Sequence, residues 1–255
     1  MRMYLINNER DRKKPPFMIG EQFHKALKQL GFIEQIDLEN ISIEISGSTQ
    51  GQGHLQRIFI TDLETISSIK EIWKINLEQD IEGISTKSRT TEVALLMLQA
   101  YQSTYRLNVV LIELKTSLQA KKLDKGKRKK STLCDIEDKY RCTMNRLYML
   151  LTINNHSNVK KAYGGTTIYI DFKGIIFYNQ DKTKISDSCE LYQLFKQAKE
   201  SQALSNYRLL ECQTILSHRD KIQVKFLENP FIKKHNPSNE ERESFEISIK
   251  ELISA

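Results

Sequence analysis

Apolar residues recur along this chain at two periods, and the changes of period mark its elements. In "IGEQFHKALKQLG", Phe23, Ala26, Leu27 and Leu30 return at helical spacing, and Gly31 is a natural stop. "ENISIEISG" alternates Ile41, Ile43 and Ile45, which predicts a strand, and "LQRIFIT" predicts another. "DLETISSIKEIWKINLEQ" reads as a helix, with Asp62 as its cap and Trp73 on its apolar face. "TTEVALLMLQAYQSTYRLNVVLIELKT" reads as two strands, about 92–99 and 107–115, joined by a polar turn. Ala, Leu and Met in Val93–Leu98 also suit a single helix across 90–106. The polar "QAYQST" break and the β-rich second run favour the hairpin.

Further along, "STLCDIEDKYRCTMNRLYMLLT" predicts a helix with Leu133, Ile136, Tyr140, Met144, Leu147 and Leu151 on one face and a cap pattern at Thr132 and Asp135. "TTIYIDFKGIIFYNQD" predicts a hairpin turning near Lys173-Gly174. "DSCELYQLFKQAKESQALSNYRLLECQTIL" predicts one or two helices, and "KIQVKFLE" a strand. "PSNEERESFEISIKELIS" predicts a final helix opened by a capping box of Ser238 and Glu241. Helices and strands are interspersed, so the expected class is α/β (mixed α+β). A single domain over 1–255 is the simplest division. Residues 1–75 form its N-terminal elaboration and 119–131 a basic loop.

The 255 residues are 39% hydrophobic, enough for one sizeable core. No run of about 18 apolar residues is present, and the start "MRMYLINNERDRKKPP" lacks the apolar stretch of a secretory signal. The expectation is a cytoplasmic protein without a membrane span. Cys134, Cys142, Cys189 and Cys212 make no CxxC pair and are read as reduced residues in helices. The five histidines make no HExxH or HxxxH pair. "GSTQGQGH" is a flexible loop and not a phosphate-cradling one, since no Gly-Lys-Ser/Thr follows.

The formal charge is +7, and its location matters more than its size. "KKLDKGKRKK", residues 121–130, carries a net +6, so the rest of the chain is nearly neutral. Lys121, Lys122, Lys125, Lys127, Arg128, Lys129 and Lys130 form a compact cluster able to neutralise several phosphates of a nucleic acid. The bland alternative is a solvated loop.

The strand "LNVVLIELKT" raises the chemical question. Successive strand residues face opposite sides, so Val109, Leu111, Glu113 and Lys115 share one face and Val110, Ile112 and Leu114 the other. In an antiparallel hairpin, Glu92 at the start of "EVALLML" comes beside Glu113. Two clustered carboxylates repel unless a cation lies between them, and hard ions such as Mg²⁺ (or Mn²⁺) take such oxygens. A metal held there can activate water and polarise a phosphate, with Lys115 orienting the water or stabilising the developing charge. The alternative is a solvated cross-strand ion pair at a sheet edge.

This arrangement resembles the PD-(D/E)xK nuclease superfamily, over roughly residues 75–180. Glu92 stands at the position of the family's first acid, where Asp is usual. Glu113-Leu114-Lys115 is the (D/E)xK triplet, and 132–152 the helix that follows it. The resemblance implies a restriction-endonuclease-like core, a central mixed sheet flanked by helices. It implies metal ligation by Glu92, Glu113 and the Leu114 carbonyl, with Lys115 acting on the attacking water. Glu21 is a candidate for the further acid that the family often draws from its first helix. Three other triplets fit the pattern: Asp11 to Lys13 in the polar lead-in, Glu137 to Lys139 in a helix, and Asp171 to Lys173 after "TTIYI".

The function expected is metal-dependent hydrolysis of nucleic acid, DNA ahead of RNA, in a defence or mobile-element setting, with a homodimer or larger complex by analogy. The alternatives are a catalytically inactive nucleic-acid-binding subunit of a ribonucleoprotein or defence complex, and an interaction domain whose basic loop meets an acidic partner. Tyr101, Tyr105, Tyr140 and Tyr148 are candidates for stacking on bases, with core packing the simpler role for Tyr140.

Overall fold

The computed structural model describes residues 28–29, 31–40, 42–47, 54–77, 90–101, 104–120, 122–124, 127–153, 168–184, 188–215, 217–233 and 238–253. The strands are β1 (Ile33–Ile36), β2 (Ser42–Ser46), β3 (Arg57–Thr61), β4 (Ile69–Asn76), β5 (Val93–Tyr101), β6 (Thr104–Gln119), β7 (Lys122–Asp124), β8 (Lys127–Lys129), β9 (Ile168–Lys182), β10 (Arg208–Cys212), β11 (Asp220–Glu228) and β12 (Ser244–Ser248). The helices are α1 (Thr132–Ile153), α2 (Glu190–Glu200), α3 (Asn239–Glu243) and α4 (Ile249–Ile253).

Seven strands form a central mixed sheet in the order β1-β4-β5-β6-β9-β11-β10. β4, β5 and β6 run as an antiparallel meander. The chain then crosses through α1 and returns as β9, parallel to β6, and β11 adds parallel to β9. A smaller sheet, β12-β3-β2, joins the C-terminal strand in parallel to β3. The class expected from sequence is therefore present, and β1, with all but the last residue of β4, falls in residues 1–75 yet belongs to the central sheet itself.

Both faces of the central sheet are covered. Leu107, Val109 and Leu111 pack against Leu133, Ile136, Tyr140, Met144 and Leu147 of α1, with Leu191 and Phe195 of α2 in the same core. Val110, Ile112 and Leu114 pack on the other face with Ile43, Ile45, Ile58 and Ile60 of the small sheet and Ile249 and Leu252 of α4. Two covered faces explain why "VALLML" and "VVLI" show no polar alternation.

Four predicted elements differ. Residues 69–76 are strand β4, preceded by a short 3-10 turn, Leu63–Thr65; Asp62 precedes that turn with a left-handed backbone (φ 61°) and makes no side-chain cap. A register shift between Ile69 and Glu71 puts Ile69 and Ile72 in the same core, a three-residue spacing that imitates a helix. Trp73 is buried, in the opposite core from Ile72.

Gly174 makes no turn. β9 runs straight through it. A Cβ on Gly174 would lie 2.7 Å from Cζ of Tyr140, so glycine there admits the buried ring of α1 against the strand.

"RLLEC" is strand β10 and not helix. The last segment is a five-residue helix, a strand and a second five-residue helix. Its capping box at Ser238 and Glu241 is present, but Phe245 and Ile247 alternate into the core beside β3.

The cysteine reading is corrected as well. Cys134, in the first turn of α1, is disulfide-bonded to Cys189, which caps α2, while Cys142 and Cys212 are free. The first turn of α1 is bonded by Ser131, whose hydroxyl accepts from the Cys134 amide, and not by Thr132, whose hydroxyl accepts from Gln119. The helix predicted before Gly31 lies outside the described residues except for 28–29, and Glu21 lies outside them altogether. Among the described residues no helix is long and apolar enough to cross a membrane.

Candidate metal and phosphate site

The meander brings Glu92 and Glu113 together as its register requires. Val93 pairs with Ile112, so the next position on each strand sets Glu92, one residue before β5, beside Glu113. The approach of Glu92 is fixed from α1. The Thr91 amide donates to Thr143 Oγ1 at 2.9 Å, and both threonines are fully buried. The far end of β6 is tied to the start of α1 by the Gln119 amide on Thr132 Oγ1.

Glu113 is completely buried and Glu92 is 6% exposed. Lys115 Nζ lies 2.6 Å from Glu113 Oε2 and 2.7 Å from Glu92 Oε1, and it donates to the Leu114 carbonyl at 3.0 Å. The three groups expected to hold a metal thus converge on one point, and that point carries the lysine ammonium. A fourth group was not visible in the sequence as part of the site. Lys139 reaches down from α1 to both oxygens of Glu113 at 3.2 Å. Its triplet, Glu137-Asp138-Lys139, is one of the rival matches, and only the packing of α1 over β6 shows that its lysine belongs with Glu113.

The other two residues of that triplet serve the helices. Glu137 Oε2 accepts the Leu191 amide at the start of α2, and Asp138 pairs with Arg141 at 3.0 Å and with Lys130. In the Asp171 triplet, Lys173 is fully buried and bonded to the Ile253 carbonyl.

The electrostatics follow from burial. Desolvation raises the Glu92 carboxyl above the usual range and the neighbouring Glu113 charge adds to this, while Lys115 opposes it. Burial alone would lower Lys115, but the two carboxylates more than offset that and raise it. The hydroxyl of Tyr140, the residue after Lys139, is raised by burial and by the Glu113 charge. Glu92 Oε2 and the Tyr140 hydroxyl have no hydrogen-bond partner among the described residues. Glu92 Oε2 points at Gly47, where a Cβ would lie 2.9 Å away.

Two carboxylate oxygens and a main-chain carbonyl meeting at one point are hard-cation donors, so the residues fit a Mg²⁺ or Mn²⁺ ion. Among the described residues no cluster of three or more Asp, Glu, His or Cys side chains is placed to hold a metal ion.

The basic segment forms a small hairpin between β6 and α1. β7 and β8 pair antiparallel, with Lys122 opposite Lys129 and Leu123 opposite Arg128. Lys122, Lys127, Arg128 and Lys129 lie on its strands, while Lys121 and Lys125 are outside the described residues. Lys130 is paired with Asp138. Of the tyrosines considered for stacking, Tyr140 and Tyr148 are buried, and the Tyr148 hydroxyl donates to Asp220 at 2.7 Å. Tyr105 packs half-buried on the core, and Tyr101 closes β5. Comparisons with family models, curated proteins and solved structures find no match to this chain.

Proposed function

We propose that this protein is a metal-dependent nuclease, hydrolysing phosphodiester bonds of DNA in preference to RNA, on a core of the restriction-endonuclease kind. One observation carries the reading: Glu92 Oε1, Glu113 Oε2 and the Leu114 carbonyl all lie within 3.0 Å of a single cationic atom, Lys115 Nζ. The order of elements supports it. An antiparallel meander, a helix and a parallel strand follow one another, with Glu92 just before β5 and Glu113 within β6 beside it.

In this reading Glu92, Glu113 and the Leu114 carbonyl hold Mg²⁺ or Mn²⁺, which supplies, when bound, an activated water and a polarised phosphate. Lys115 places its ammonium where negative charge develops on the phosphate. Lys139 fixes the Glu113 carboxylate from behind. The β7–β8 hairpin, seven residues beyond Lys115, carries Lys122, Lys127, Arg128 and Lys129 in its sequence, and these basic residues are the proposed contacts to a phosphate backbone. Cleavage of labelled DNA and RNA with Mg²⁺, Mn²⁺ or EDTA, by wild type and by Glu113→Gln, tests the assignment.

A second reading, an inactive nucleic-acid-binding subunit, is favoured by one feature. Two carboxylates and two ammoniums already balance one another without a metal. It predicts binding that weakens with salt and is indifferent to Mg²⁺.

A further inference from the structure

Lys115 occupies the point at which the donor oxygens converge, and its surroundings are asymmetric. Glu113 has a second cationic partner in Lys139, which contacts both of its oxygens. Glu92 has no such reserve: one oxygen faces Lys115, and the other has no partner among the described residues. The Lys115 side chain is 20% exposed and that of Lys139 19%, whereas Glu113 is 0% and Glu92 5% exposed, so the two lysines and not the carboxylates reach solvent, and of the two only Lys115 contacts both carboxylates.

The charges of the four groups sum to zero. A divalent cation added beside a retained Lys115 would leave two uncompensated positive charges in a largely buried cluster, which is costly. Moving Lys115 outward removes one of them and frees the three oxygens together. Glu113 is not left unpaired in the exchange, because Lys139 stays on it.

We propose that Lys115 is a resident plug of the cation position, so that a metal binds only by displacing its ammonium toward solvent while Lys139 holds Glu113 in place. This rests on the metal-binding reading of the site. The site is thereby closed until loaded, and loading itself releases Lys115 to the side from which a phosphate arrives. Lys139 is a positioning residue in this scheme and does not touch the substrate.

The test is Mn²⁺ binding by calorimetry, without nucleic acid, to wild type, Lys115→Met and Lys139→Met. A plug that holds the site shut most of the time lowers apparent affinity by the fraction of time the site is open, so Lys115→Met should bind Mn²⁺ about tenfold tighter than wild type. Lys139→Met removes the same charge from the neighbourhood but not from the point of convergence, and should gain about tenfold less than Lys115→Met. Equal gains in the two variants would show a general field effect and overturn the proposal, as would an unchanged affinity in Lys115→Met. If none of the three proteins bound Mn²⁺, the metal reading itself would fall.

A wild-type measurement keeps the test independent of the variants' folding. Acetylation of Lys115 by an N-hydroxysuccinimide ester, followed by peptide mass spectrometry, should rise on adding Mn²⁺ while that of Lys139 stays constant. Unchanged Lys115 labelling at saturating Mn²⁺ would overturn displacement.

Discussion

Lys139 Nζ stands 3.2 Å from both carboxylate oxygens of Glu113, joining the helix that covers the sheet to the strand that carries the candidate acid. With Lys115 at 2.6 Å, a fully buried carboxylate is held by two cations. Removing one member of such a buried set leaves the others uncompensated. Glu113→Gln should therefore lower stability by about 2–4 kcal/mol, read as a shift in the urea midpoint. A loss below about 0.5 kcal/mol would place these ion pairs in the class of solvent-screened surface contacts.

Gly174 and Tyr140 define a second contact with a sharp consequence. A Cβ at residue 174 would meet two ring carbons and the hydroxyl oxygen of Tyr140 between 2.7 and 2.9 Å, and the side chain is buried with no flexible end to move aside. Gly174→Ala should cost about 1–3 kcal/mol by overpacking. Tyr140→Leu in the same chain should recover part of the loss. Additive losses in the double variant would mean that the two residues do not press on one another.

These two pairs show what the sequence reveals and what it hides. The alternation through Val109, Leu111, Glu113 and Lys115 reports the face of β6, and the hairpin pairs Glu92 with Glu113, so that part of the site is legible along the chain. Lys139 is not, because its place on Glu113 depends on how α1 lies across β6. Gly174 misleads because glycine serves both turns and close approaches, and a sequence alone does not say which. β4 misleads for a related reason. Its irregularity between Ile69 and Glu71 breaks the two-residue period by which a strand is recognised. The long C-terminal segment misread as one helix has a true helix start at Ser238, after which the β-branched alternation around Ile247 prevails.

The bond between Cys134 and Cys189 ties the first turn of α1 to the cap position of α2 across 55 residues of sequence. Closing a loop of that length restricts the unfolded chain by about 4 kcal/mol in the chain-entropy account, so reduction should cost about 2–4 kcal/mol of stability. Thiol titration of the denatured, unreduced protein should find only Cys142 and Cys212 reactive. Four reactive thiols would contradict the pairing.

Lys225 gives the fold a pH dependence of defined sign. Burial lowers its ammonium to about 8, with the Glu251 charge opposing and the Lys173 charge adding to the shift, while the ammonium donates to the Glu251 carbonyl in α4. In the unfolded chain the same group titrates at about 10.4. Between those values the unfolded chain binds more protons, so Lys225 makes stability rise with pH over that window and adds no slope outside it. Urea midpoints from about pH 8 to about pH 10 should show this rise relative to Lys225→Met, which lacks it. Parallel profiles for the two proteins would show that Lys225 is not held in its neutral form.

The central claim is that Glu92, Glu113 and Lys115 form one metal-dependent cleavage site. The most direct measurement is single-turnover cutting of labelled double- and single-stranded DNA and RNA in Mg²⁺, in Mn²⁺ and in EDTA, by wild type, Glu113→Gln and Lys115→Met. We expect cutting that needs the metal and falls by at least about a hundredfold in both variants, with folding verified in parallel. Tight binding without cutting in either metal, equal in all three proteins, would contradict the claim and leave the ion-paired, non-catalytic reading in its place.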